Sequence, residues 1–190
     1  MKKIVFGLQL DNKVPPIGMG EDSIYDFLGP QQFTIFLEKR FGIKPPDDNQ
    51  VAIRTDVYRQ HLATYLSGHS DAFFSKSFSA DPFATAQTLL NLRDSLRQAG
   101  WKGSDNEEAP VRIRTLSLIE DDLNENMFWP KGWTDRQLDV LEKLPSKSIR
   151  NLLIYLVEPF DLFPVYWQKV LTGLENNGAK ILEISSEPSS

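Results

Sequence analysis

Leu152-Leu153-Ile154-Tyr155-Leu156-Val157 is an unbroken apolar run of strand length, and the residues after it decide the fold. A strand buried on both faces reads as a continuous apolar run, which marks the interior of a parallel sheet. Glu158-Pro159-Phe160-Asp161-Leu162-Phe163-Pro164 breaks the run. A helix follows, with Trp167, Val170, Leu171 and Leu174 recurring on its inner side. Asn177-Gly178 ends that helix, and Ala179 to Ile184 reads as another buried strand. Strand, helix, strand in this order is a βαβ unit: a parallel pair with a right-handed crossover. The fold class is therefore α/β.

Outward from that unit, Ile4 to Leu10 near the N-terminus reads as a further buried strand, Asp11 to Asp22 as a loop, and Ile24 to Leu28 as a short strand. Gly29-Pro30 opens a helix carrying Phe33, Phe36, Leu37 and Phe41 at helical spacing; Gly42 and Pro45-Pro46 stop it. A helix over Val51 to Leu66 is expected to turn Ile53, Val57, Leu62 and Tyr65 inward. Ala72 to Phe78 is a short aromatic piece of one or two turns. Asp81-Pro82 starts the next helix as an acidic N-cap followed by proline at the first helical position. Its apolar line is Phe83, Ala86, Leu89, Leu90 and Leu96, and Gly100 closes it. Residues 102–110 are a polar loop. Ile113, Leu116, Ile119 and Leu123 mark another helix, and Thr134 to Gln137 fits a capping box ahead of Leu138, Leu141 and Leu144. The simplest assembly joins the distant strands in one sheet. Residues 1–48 and 149–184 then form the sheet portion, 49–148 an inserted helical portion, and 185–190 a linker or cut end.

At 190 residues the chain is long enough for one sizeable core, or one core with a small helical lobe. Twelve Phe and four Trp supply the material for it. The absence of cysteine removes disulfides, thiolate metal sites and cysteine nucleophiles together. Met1-Lys2-Lys3 followed by an apolar stretch imitates a signal peptide, but Gln9 and Asp11 end it too early. No run approaches the roughly 20 apolar residues that cross a bilayer. The expected address is cytoplasmic, with no membrane partner. A formal net charge of −5 argues against an isolated nucleic-acid binder, because phosphate neutralisation needs an excess of Lys and Arg.

No catalytic or metal-binding set emerges. A phosphate-binding loop needs G-x-x-x-x-G-K-[ST] after the first strand, and Asp11-Asn12-Lys13-Val14-Pro15-Pro16 stands there instead. Gly18-x-Gly20 alone is a loop fragment. His61 and His69 are too few for a metal site and read as surface or boundary residues. Glu120, Asp121, Asp122 and Glu125 point to different sides of a helix and read as a solvated face. Glu183 with Lys180 is the nearest approach to a nuclease pair, and it lacks an upstream aspartate. The aromatics Tyr65, Phe73, Phe74, Phe78 and Phe83, and again Phe128, Trp129 and Trp133, read as core in the absence of interleaved basic residues. Three function classes follow: a non-catalytic part of a larger machine, a stand-alone cytoplasmic protein–protein interaction module, and a small-molecule enzyme using the loop at 11–22.

Residues 149–184 resemble a known layout. The run Val157-Glu158-Pro159-Phe160-Asp161 after an apolar strand is similar to the second acidic ATPase motif of superfamily 1 helicases, V-D-E-F-Q-D. It is closer to the degraded, phenylalanine-rich form in AddB/RexB-type subunits of bacterial recombination helicase–nucleases. A second likeness runs from Phe73 to Trp101. Phe78-x-x-Asp81-Pro82, Thr85-Ala86, Leu89-Leu90, Arg93-Asp94-x-Leu96 and Ala99-Gly100-Trp101 resemble S-F-x-x-D-P-W-x-T-A-x-x-L-L-x-W-R-D-x-L-x-x-A-G-W, an early segment of large PD-(D/E)XK nuclease family proteins.

The resemblance implies a parallel-sheet, P-loop-NTPase-like (helicase-like) partial domain with an inserted helical subdomain, belonging to DNA repair and recombination. It implies Glu158 at the magnesium-binding position and Pro159 where the water-activating glutamate stands. Proline cannot act as a base, so Glu158 and Asp161 are vestigial, and no catalytic residue, metal or cofactor is expected here. DNA contact and a partner helicase–nuclease subunit are implied only for the larger protein. Any nuclease site lies downstream of Ser190.

Overall fold

The computed structural model describes residues 1–11, 25–44, 50–104, 108–126, 130–146 and 149–184. The loop at 12–22 with Gly18 and Gly20, Pro45-Pro46, Phe128, Trp129, the side chains of Asp122 and Glu125, and Ser185 to Ser190 lie outside the described residues. The chain divides into two compact units, Met1–Pro45 with Arg136–Ser190, and Pro46–Asp135.

The first unit holds a sheet of four parallel strands: β1 (Lys2–Phe6), β2 (Tyr25–Leu28), β3 (Leu152–Leu156) and β4 (Lys180–Glu183), in the order β2-β1-β3-β4. β1 pairs with β3 from Lys2↔Leu152 to Phe6↔Leu156, so segments far apart in sequence form the centre of the sheet. Asn151 makes the turn into β3 with φ 75°, a left-handed conformation that asparagine tolerates better than most residues. Side chains alternate across the sheet. Ile4, Phe6, Leu152, Ile154 and Leu156 share one core with α1 (Pro30–Phe41), α6 (Trp133–Lys143) and α7 (Val165–Asn176). Phe6 is its hub, with ring centroids 4.6 Å from Phe33, 4.8 Å from Trp167 and 5.2 Å from Phe163. Trp167, Val170, Leu171 and Leu174 are all buried, as their spacing predicts. The other face carries Val5, Leu153 and an edge-on pair, Tyr25 and Tyr155, at 5.7 Å.

The second unit is helical. α2 (Gln50–Gly68), α3 (Ser75–Ala80), α4 (Pro82–Gln98) and α5 (Val111–Asn126) enclose Tyr58, Leu62, Phe74, Ala86, Leu89, Leu90, Leu116, Ile119 and Leu123. Asp81 caps α4 as its sequence predicts, accepting the Ala84 N–H at 2.9 Å. No helix among the described residues is long and apolar enough to cross a membrane.

Several expectations are corrected. The first strand stops at Phe6 instead of Leu10, because the chain turns at Gly7. β4 is an edge strand, paired only with β3 among the described strands, and Leu182 is exposed. In α2, Ile53 faces out and the buried side is Arg54, Thr55, Tyr58, His61 and Leu62. That face is chosen by polar partners, which an apolar-spacing rule does not register. His61 is therefore buried, not a boundary residue, and Phe83 is exposed, not core. Glu120 is 1% exposed, not solvated, because Arg93 lies against it. α6 starts at Trp133, not beyond it, and Asp135 reaches back to the Gly132 N–H at 2.8 Å.

Candidate functional site

In open parallel sheets, ligands bind beyond the carboxyl ends of the strands. At that edge the chain turns three of its own carboxylates onto its own backbone. Glu158, just past β3, accepts the Leu8 N–H at 3.1 and 3.2 Å, one distance for each oxygen. The approach is close at Gly7. A Cβ there would stand 3.0 Å from the Val157 side chain and 3.2 Å from a Glu158 oxygen. Glu183, at the end of β4, accepts the Phe160 N–H at 2.8 Å.

The third carboxylate bears most directly on phosphate chemistry. The first turn of a helix presents free N–H groups and positive potential, the usual seat of a phosphate. At α1 that seat is filled by Asp11, which accepts from Gln31 N–H at 2.9 and 3.1 Å and from Gln32 N–H at 3.2 Å. A side chain at Gly29 would collide with Asp11, so the contact is built into the backbone. A phosphate arriving here would meet a carboxylate where it needs donors. Asp161 stands apart: exposed in a short 3-10 turn, with its carbonyl accepting from the Gln168 amide at 3.3 Å. The geometry keeps Glu158 and Asp161 on different partners and does not bring them together as a pair. Among the described residues, no group of three or more His, Asp or Glu side chains could hold a metal ion.

The helical unit contains a second charged assembly, absent from the sequence-based expectations. Arg93 donates to Glu120 at 3.0 Å, Asp94 at 2.7 Å and Asp135 at 2.6 Å. Arg54 donates to Asp94 at 2.9 and 3.0 Å and to Asp135 at 2.8 Å. Arg54, Arg93, Glu120 and Asp135 are all buried, and together the five residues join α2, α4, α5 and the start of α6. A Cβ at Gly132 would fall 2.5 Å from the Arg54 guanidinium, so a larger residue there would displace Arg54 from its place in the assembly. Burial opposes ionisation of Asp135, but Arg93 and Arg54 override it and hold the carboxyl below its usual range. Burial likewise opposes the charge on Arg93, and Asp135 and Glu120 hold its proton on. Burial, and next the negative charge of Glu120, push the Tyr58 phenol upward. Guanidinium groups so held neither accept nor release protons, so the assembly ties helices together and does no acid–base work. One signal was present in the sequence. The buried line Ala86, Leu89, Leu90 runs on to Arg93, a charge on an apolar stripe.

No protein-family model matches the chain, and no curated protein matches it.

Proposed function

We propose that this chain is the non-catalytic, ATPase-dead, helicase-like N-terminal region of a DNA-repair and recombination helicase–nuclease of AddB/RexB-like type. Its role is to scaffold DNA or partner subunits for a nuclease site elsewhere in a longer polypeptide. The observation that carries the reading is Asp11 seated on the N-terminus of α1, the helix after β2, so that a carboxylate occupies the first-turn N–H groups a phosphate could otherwise use. Glu158 supports it, spent on a backbone N–H and followed by Pro159 where a base would stand. The second stretch of resemblance fits a structural role as well. Asp81 caps α4, Leu89 and Leu90 are core, and Arg93 and Asp94 belong to the buried ion assembly.

A free-standing interaction module is the second reading, favoured by an exposed groove in the helical unit. An immunoblot of source-cell extract separates the two. The helicase–nuclease reading requires a native band many times larger than 21.7 kDa, and a band at that size leaves the interaction module.

A further inference from the structure

The helical unit carries an open groove of about 560 Å³, bounded by α3, the first half of α4 and the start of α5. Its apolar side is Phe73 and Phe74, with Leu89 at the base. Ala80, Ala84 and Thr88 are small and exposed, so another chain's backbone can come close there. Phe73 is 37% exposed, with its ring edge-on to Phe74 at 5.3 Å. Arg112 lies over its ring, 5.5 Å from the centroid. Among the described residues its guanidinium meets no carboxylate. It also sits in the first turn of α5, where the helix dipole disfavours a cation and welcomes an anion. Asp81, exposed and capping α4, also lines the groove.

We propose that this groove docks a short peptide segment of a partner protein. The segment sets an apolar side chain against Phe73, a carboxylate against Arg112, and a basic group toward Asp81. Charge complementarity selects the occupant: one cation, Arg112, and one anion, Asp81, line the groove beside the apolar Phe73 and Leu89. A nucleic-acid strand fits less well, because its phosphates would meet Asp81 and a chain of net charge −5. The inference stands on the helical unit alone and does not depend on the helicase-like reading.

The test is selection of a random dodecapeptide display library on the purified chain, followed by fluorescence anisotropy with the selected peptides. Recovered peptides should combine an acidic residue with a nearby Phe, Leu or Met. Arg112→Glu should weaken their binding by about tenfold or more, as loss and reversal of one charged contact implies. Ala84→Trp should block the groove without changing its charge, and Arg112→Gln should give an intermediate loss. Each variant is first shown to melt like the parent by circular dichroism. No enrichment over an unrelated bait overturns the proposal, and so does binding that survives both Arg112→Glu and Ala84→Trp. A fluorescent oligothymidylate that binds more tightly than the peptides and is released by Arg112→Glu overturns it in favour of nucleic acid.

Discussion

Replacing Arg93 with methionine keeps an unbranched apolar stem and deletes the guanidinium with its charge. Asp94 and Asp135 then keep Arg54, and Glu120, only 1% exposed, loses the guanidinium bonded to it. Taking one member from a buried ion assembly costs about 3–5 kcal/mol, because the remaining charges stay desolvated. Domains of this kind are stable by about 5–15 kcal/mol, so the loss is a large fraction of the total. With a urea slope of about 2 kcal/mol/M, the unfolding midpoint should fall by about 1.5–2.5 M. Urea titration followed by circular dichroism at 222 nm measures it. Glu120→Leu in the same background should recover part of the loss, giving a coupling of about 1 kcal/mol or more between the two positions. A midpoint shift below about 0.5 M, on the same slope, would refute the reasoning by showing that Glu120 finds other solvation.

Three further outcomes follow from the same geometry. Asp135 has its carboxyl held below the unfolded value of 3.8, so its stabilisation is present above that pH and is lost as pH falls through the lower folded value. Urea midpoints of the parent and Asp135→Asn should therefore differ at pH 7 and converge as the pH drops below about 4, the unfolded carboxylate range. Gly173→Ala should destabilise by about 1–3 kcal/mol despite alanine's better helix propensity, since its methyl would overlap the Leu144 side chain; thermal melting decides the sign. Asp11→Ala should cost about 1–2 kcal/mol by removing the cap of α1, read by chemical denaturation of the full chain.

The elements that were legible in the sequence are those whose burial is apolar and periodic. Leu152 to Leu156 announces a central strand because both of its faces are covered, and Trp167 to Leu174 keeps a clean helical period against one core. Legibility failed where polar pairing chose the face. The inner side of α2 includes Arg54, Thr55 and His61, and Glu120 belongs to Arg93 although its neighbour Asp121 is exposed. Apolar spacing does not identify such partners, which for Arg54 come from α4 and α6 and for Glu120 from α4. The edge position of β4 was hidden for a related reason: its residues resemble those of an inner strand, and only pairing order separates the two. At the candidate site, Glu158 could be singled out from the sequence. Asp11 could not, because its role depends on strands that place it against α1.

Closure of the strand edge to phosphate is tested most directly by titrating MgATP into the purified chain by calorimetry. The expected result is no saturable binding at millimolar nucleotide. Saturable binding that disappears in Glu158→Gln would contradict it and restore an NTP site to this sheet.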